Sequence, residues 1–177
     1  SGDPRVRCDE AMPDQPRRHH RQFSQAGFEP IEVVRADRRD VRRLILMQPY
    51  GGHRIPGIEF EKHSDGRVTL RLQFPQWSTD PVELDRSAWE RLTAQETAVF
   101  ARPEYVRPPP PTTPPSSPPP PPPTCHGWFA FLEADEERTA VWSGCSNLNP
   151  AARDYVMAMV ELVMATRPMC STVPGLL

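Results

Sequence analysis

Lysine is almost missing from this chain of 177 residues: Lys62 is the only one, and arginine supplies the rest of the positive charge. With a formal net charge of -2, nothing in the overall balance draws the protein to nucleic acid. The short basic cluster Arg17, Arg18, His19, His20 and Arg21 has no aromatics interleaved with it and reads as a solvated tail. Long apolar runs are also missing. The best candidate, Tyr155 to Ala165, is too short for a membrane and carries Glu161, so no span is expected. No C-x-x-C pair occurs, which leaves zinc sites and thioredoxin-like redox chemistry without support. Gly-x-Ser-x-Gly, His-Glu-x-x-His, dinucleotide and calcium-loop motifs are absent, and no cofactor or metal is expected.

What the chain does have is proline, 24 residues of it. From Pro108 to Pro123 every residue except Thr112, Thr113, Ser116 and Ser117 is proline. Proline fixes φ and donates no backbone hydrogen bond, so this segment favours polyproline II, at about 3.1 Å per residue. It reads first as a spacer or low-complexity insertion, and second as a recognition motif whose many P-x-x-P registers make that match cheap. The chain then divides into a flexible tail (1–27), a sheet with the first helix (28–107), the polyproline segment (108–123), and a hairpin with the terminal helix (124–177). The last part docks on 28–107 as one domain, because neither half buries enough apolar surface alone. A stiff connection makes docking onto a second copy an alternative, which predicts a homodimer by exchange of the C-terminal segment.

Periodicity predicts strands at Ile31–Val34 and Leu44–Met47, the second also readable as one buried helical turn. A hairpin follows. Ile58 and Phe60 alternate with Glu59, Glu61 and His63, while Val68, Leu70, Leu72 and Phe74 alternate with Thr69, Arg71 and Gln73. A shared apolar face requires Phe60 opposite Leu70 and Ile58 opposite Leu72, with Gly66 in the loop where a left-handed residue is needed. After Pro81 breaks the strand pattern, Asp85 caps a helix predicted over 86–100 with Trp89, Leu92, Val99 and Phe100 on its stripe. A second hairpin, Cys125–Leu132 with Arg138–Cys145, has apolar residues on both faces of its first strand and reads as central. Asn149 and Pro150 start the strongest helix, with Ala152, Tyr155, Val156, Met159, Val160 and Val163 facing the core and Pro168 ending it. The expected fold is α+β: an antiparallel sheet of five or six strands with two helices on one face, interrupted by the polyproline segment.

Folding the second hairpin about Asp135 puts Cys125 across from Cys145, within disulfide reach, leaving Cys8 and Cys170 to pair or stay free. The even cysteine count, and a chain that begins Ser1-Gly2-Asp3 without an apolar signal core, fit a periplasmic or secreted bacterial protein whose leader has been removed.

Catalytic candidates have simpler explanations. Glu59, Glu61 and His63 share a strand face, but the hairpin register sets Arg71 opposite Glu59 and Thr69 opposite Glu61, a solvated face with one ion pair. Cys125 and His126 are strand neighbours that point to opposite faces, so they form no dyad. His53, on the glycine-rich loop Tyr50-Gly51-Gly52-His53-Arg54, has no partner in the sequence. That loop instead suits an interface, with an aromatic, an imidazole and a guanidinium on one turn. Tyr50, His53, Arg54 and Trp77 are therefore the expected binding residues, and a non-enzymatic protein that binds another protein, of immunity or inhibitor type, is the expected function. A small envelope hydrolase and an envelope structural or accessory protein are the alternatives.

Overall fold

The computed structural model describes residues 16–47, 56–101, 127–144 and 150–166, with side chains from His20 onward. The elements run in the order α1 (Pro16–Gln25), α2 (Ile31–Ala36), β1 (Asp40–Met47), β2 (Gly57–Lys62), β3 (Val68–Gln73), β4 (Val82–Leu84), α3 (Arg86–Thr93), α4 (Glu96–Phe100), β5 (Phe129–Glu133), β6 (Thr139–Ser143) and α5 (Pro150–Thr166). The strands form one antiparallel six-stranded sheet in the order β4-β3-β2-β1-β5-β6. The fold is thus α+β, as expected, and none of the described helices is long and apolar enough to cross a membrane.

The β2–β3 hairpin has the register its apolar alternation requires, with Ile58 opposite Leu72 and Phe60 opposite Leu70. Gly66 takes a φ of 87°, which only glycine adopts without strain. Every residue of β1 between its two ends is buried, as an interior strand must be, and the helical alternative for 41–47 fails. In α5 the six buried residues are the six predicted from periodicity.

Four segments differ from the elements expected of them. Ile31–Val34 is not a strand but most of α2, because Pro30 leads into a helical turn whose two apolar residues, Ile31 and Val34, lie three apart on one face. The helix predicted over 86–100 is two helices, α3 and α4, that meet at Ala94 and Gln95. The segment after Pro81 supplies the edge strand β4, three residues paired with β3, where proline costs no ladder bond. The flexible tail expected over 1–27 is helical from Pro16, and Phe23 on that helix is buried.

The helices also occupy both faces. One core lies between the sheet and α3, α4 and α5, where Leu44, Phe60, Leu70 and Leu132 meet Trp89, Leu92, Val99 and Tyr155. On the opposite face, Phe23 of α1 packs with Phe28, Ile45 and Phe131, and α2 packs Ile31 and Val34 on Val41. Two helices on one face could not suffice: β1 and β5 carry large apolar residues on both sides and need cover on both.

The disulfide expectation is overturned: no disulfide bond is present among the described residues, and Cys8, Cys125, Cys145 and Cys170 all lie outside them. The hairpin geometry that motivated the bond is also different. Val141 pairs with Phe131, where the expected register needs it opposite Phe129. Asp135 sets this register, because its carboxylate accepts the backbone N–H groups of Glu137 and Arg138 and so opens the loop instead of centring it. The polyproline segment 108–123 also lies outside the described residues.

Candidate functional site

Alternation on β1, β2, β3 and β5 sends Arg43, Glu59, Arg71 and Glu133 to the face opposite the main core. The expected pairing of Glu59 with Arg71 and Glu61 with Thr69 is present, but Glu59 is not solvated: its side chain is fully buried, as is that of Arg43. Arg43 sits between two carboxylates, donating from Nε to Glu59 at 2.7 Å and from Nη1 to Glu133 at 2.9 Å, with its guanidinium 4.8 Å from the centre of the Phe28 ring. Arg71 adds a 2.7 Å bond to Glu59. Arg39 forks onto Glu61 at 2.9 and 3.0 Å and reaches Glu29 at 2.6 Å. Burial works against ionising Glu61, but the Arg39 fork outweighs it and holds the carboxyl below its ordinary range.

A cleft of about 270 Å³ opens beside this network, between the polar side of the β2–β3 hairpin and residues 78–81. Its only imidazole, His63, is bonded through Nε2 to Thr69 at 2.8 Å, with Glu61 at 3.7 Å from Nδ1. A general acid or base needs a free face toward substrate, and here Glu59, Glu61 and His63 are all engaged. The described residues hold no group of three metal-ligating side chains. A second charged cluster, on the main-core side, binds Glu96 to Arg42 and Arg138. Beside it Tyr155 is buried, its hydroxyl without a hydrogen-bond partner among the described residues, and burial together with Glu96 pushes its phenol up.

Trp77 is the most exposed large apolar side chain among the described residues, at 57%. Its position is tightly determined. After β3 the chain reverses through Phe74-Pro75-Gln76-Trp77, closed by a 2.8 Å bond from Phe74 N to Trp77 O and by the bridge of Gln73 with Ser78. The Gln73 amide donates to Phe74 O at 2.7 Å, and the indole stacks flat on the Phe74 ring, 4.1 Å between centres and 8° between planes. From below, the turn rests on Gly27, where a Cβ would come within 2.6 Å of Phe74 O and 2.9 Å of Pro75 O. Only glycine allows that approach at a φ of 94°.

Of the expected binding residues, Tyr50, His53 and Arg54 lie outside the described residues. The flanking residues are described: Met47 ends β1, Gly57 begins β2, and Gly57 pairs with Gln73, so both flanks sit at the end of the sheet where the Trp77 turn departs. Met47 is itself exposed. Reading the sequence missed the Arg43–Glu59–Glu133 network. A signal was present in β1, where two arginines stand inside an apolar strand and must find carboxylates if buried. Compared with known family models, curated proteins and solved structures, the chain matches none.

Proposed function

We propose that this is a non-enzymatic binding protein, of inhibitor or immunity type, that engages another protein through the end of the sheet carrying Trp77. One observation carries the reading: a half-exposed indole held flat on Phe74 by a turn with few degrees of freedom. Large aromatics that are rigid before binding lose little entropy on association and dominate interface energies. Met47 adds apolar area at the same end, and the proposal keeps Tyr50, His53 and Arg54, which follow it in the sequence, as further binding residues. The hydrolase reading is weaker, because the carboxylates and the imidazole beside the cleft already have partners.

The test is capture of the partner by the tagged protein and by Trp77→Ala, Tyr50→Ala and Arg54→Ala. Trp77→Ala should weaken binding by roughly thirtyfold, the effect of a hot spot worth about 2 kcal/mol, with the fold unchanged by circular dichroism. Undiminished capture by all three variants sinks the assignment. Turnover in a hydrolase panel that disappears with His53→Ala or His63→Ala would establish the enzyme instead.

A further inference from the structure

His20 joins α1 to the charged network of the sheet. Its Nδ1 lies 2.5 Å from a carboxylate oxygen of Glu133, and its Nε2 lies 3.1 Å from the backbone carbonyl of Glu136. Both neighbours are acceptors unless Glu133 is itself protonated. A neutral imidazole has one N–H and one lone pair, so it cannot serve two acceptors. The arrangement therefore holds one proton more than neutral His20 and ionised Glu133 bring to it.

We propose that α1 is latched to the sheet by this shared proton between His20 and Glu133, and that the latch opens as pH rises. The surrounding charges fit. Glu133 is buried, and among the described residues Arg43 is its other cationic partner. Arg43 is divided between Glu133 and Glu59, which also draws on Arg71 and on Arg39 at 3.7 Å. On the outer side, the Glu136 carboxylate is occupied by Arg35 of α2 at 2.5 Å. Burial holds the Glu133 carboxyl above its ordinary range, although His20 and Arg43 both pull it down. Loss of the proton to solvent leaves a lone pair facing a carboxylate in a part-buried setting, so the contact that held α1 to the sheet turns repulsive, while Phe23 and Ala26 still pack against the sheet. The sign is the same whichever group carries the proton: the docked form binds a proton that the undocked form releases, so docking is favoured at low pH and lost as pH rises.

Hydrogen exchange of the intact protein, corrected for the intrinsic pH dependence of exchange, reads the latch directly. Amides of residues 20–25 should lose about tenfold in protection per pH unit once the proton begins to leave, while the β2–β3 amides keep theirs. In Glu133→Gln the α1 profile should be flat, because a neutral His20 then meets one donor and one acceptor. A flat wild-type profile, a profile that persists in Glu133→Gln, or loss of protection in β2–β3 in parallel with α1 each overturns the proposal. Should that variant fail to fold, the wild-type protein still decides: the Glu133 carboxyl, followed by carbon-detected NMR, must share its midpoint with the loss of α1 protection, and separate midpoints refute the latch.

Discussion

Under α5, Leu44, Phe60, Leu70 and Leu132 pack against Tyr155, Met159 and other apolar side chains; one residue away on the same strands, facing the opposite side, stand Arg43, Glu59, Arg71 and Glu133. Arg43, Glu59 and Glu133 are as buried as the apolar four, with Arg71 partly exposed beside the cleft, but the two faces hold together differently. The apolar face gains from each area it removes from water and tolerates exchange of one hydrocarbon for another. The charged face gains little net from any single pair, because desolvation offsets attraction, yet each member depends on the others to avoid standing as a lone buried charge. A sheet can therefore have one face that degrades gradually under mutation and one that fails abruptly.

The largest expected effect breaks the charged face at its centre. Arg43→Ala leaves Glu59 and Glu133 buried without their shared cation and should cost about 3–5 kcal/mol in urea unfolding. Replacing all three, with Arg43→Met, Glu59→Leu and Glu133→Leu, should recover stability to within about 1 kcal/mol of the parent, since no lone buried charge then remains. A triple variant as unstable as Arg43→Ala would mean that the network supplies net stability, and the contrast between the faces would need revision. On the apolar face, Leu132→Ala should cost about 3 kcal/mol as a simple cavity, additive with substitutions more than about 10 Å away.

Acid sharpens the same contrast with a smaller effect. The Glu61 carboxyl is held down in the fold by Arg39, so the stability it contributes is complete above its ordinary value of 4.5 and is lost as pH falls below it. Glu133, held up, contributes in the opposite sense, its share fading as pH rises above that ordinary value. Between about pH 5 and pH 3 the parent should therefore lose more stability than Glu61→Gln, by about 1 kcal/mol or less because Arg39 is partly exposed. Equal losses would remove the Arg39 fork from the account. The smallest effect is a gain. Arg38 ends α2 with a φ of 55°, a left-handed conformation that favours glycine, and Arg38→Gly should raise stability by about 0.5–1 kcal/mol in the same unfolding assay.

Much of this was readable beforehand, and the misses have identifiable causes. The β2–β3 register followed from alternation alone, since a slip of one residue would have turned Phe60 and Leu70 to the wrong face. The buried stripe of α5 followed from its spacing. The helix α1 was missed because His19, His20 and Arg21 looked like a solvated tail, although its stop signal is ordinary: Gly27 with positive φ, bonds from Phe28 N to Phe23 O and from Gly27 N to Ser24 O, and Phe23 against Phe28. The second hairpin was displaced by two residues because a symmetric fold about Asp135 ignored the preference of aspartate for the opening position of a loop. Trp77 was visible as a candidate, whereas its support from Phe74 and Gly27 was not, since those residues meet only through the turn and the end of α1.

What the sequence by itself determined is whatever depends on neighbours along the chain: the period of each apolar pattern, the glycine and aspartate that punctuate it, and hence the α+β class and the pairing within β2–β3. What only the tertiary structure decided is which charges are buried and with whom. Glu59, Glu61 and Glu133 look alike in the sequence, and their fates diverge because α1 and α2 close over part of one sheet face and leave a cleft beside the rest. Charge interactions act through space and depend steeply on local solvent access, so residues 20, 43, 59 and 133 form one device only once the strands have brought them together.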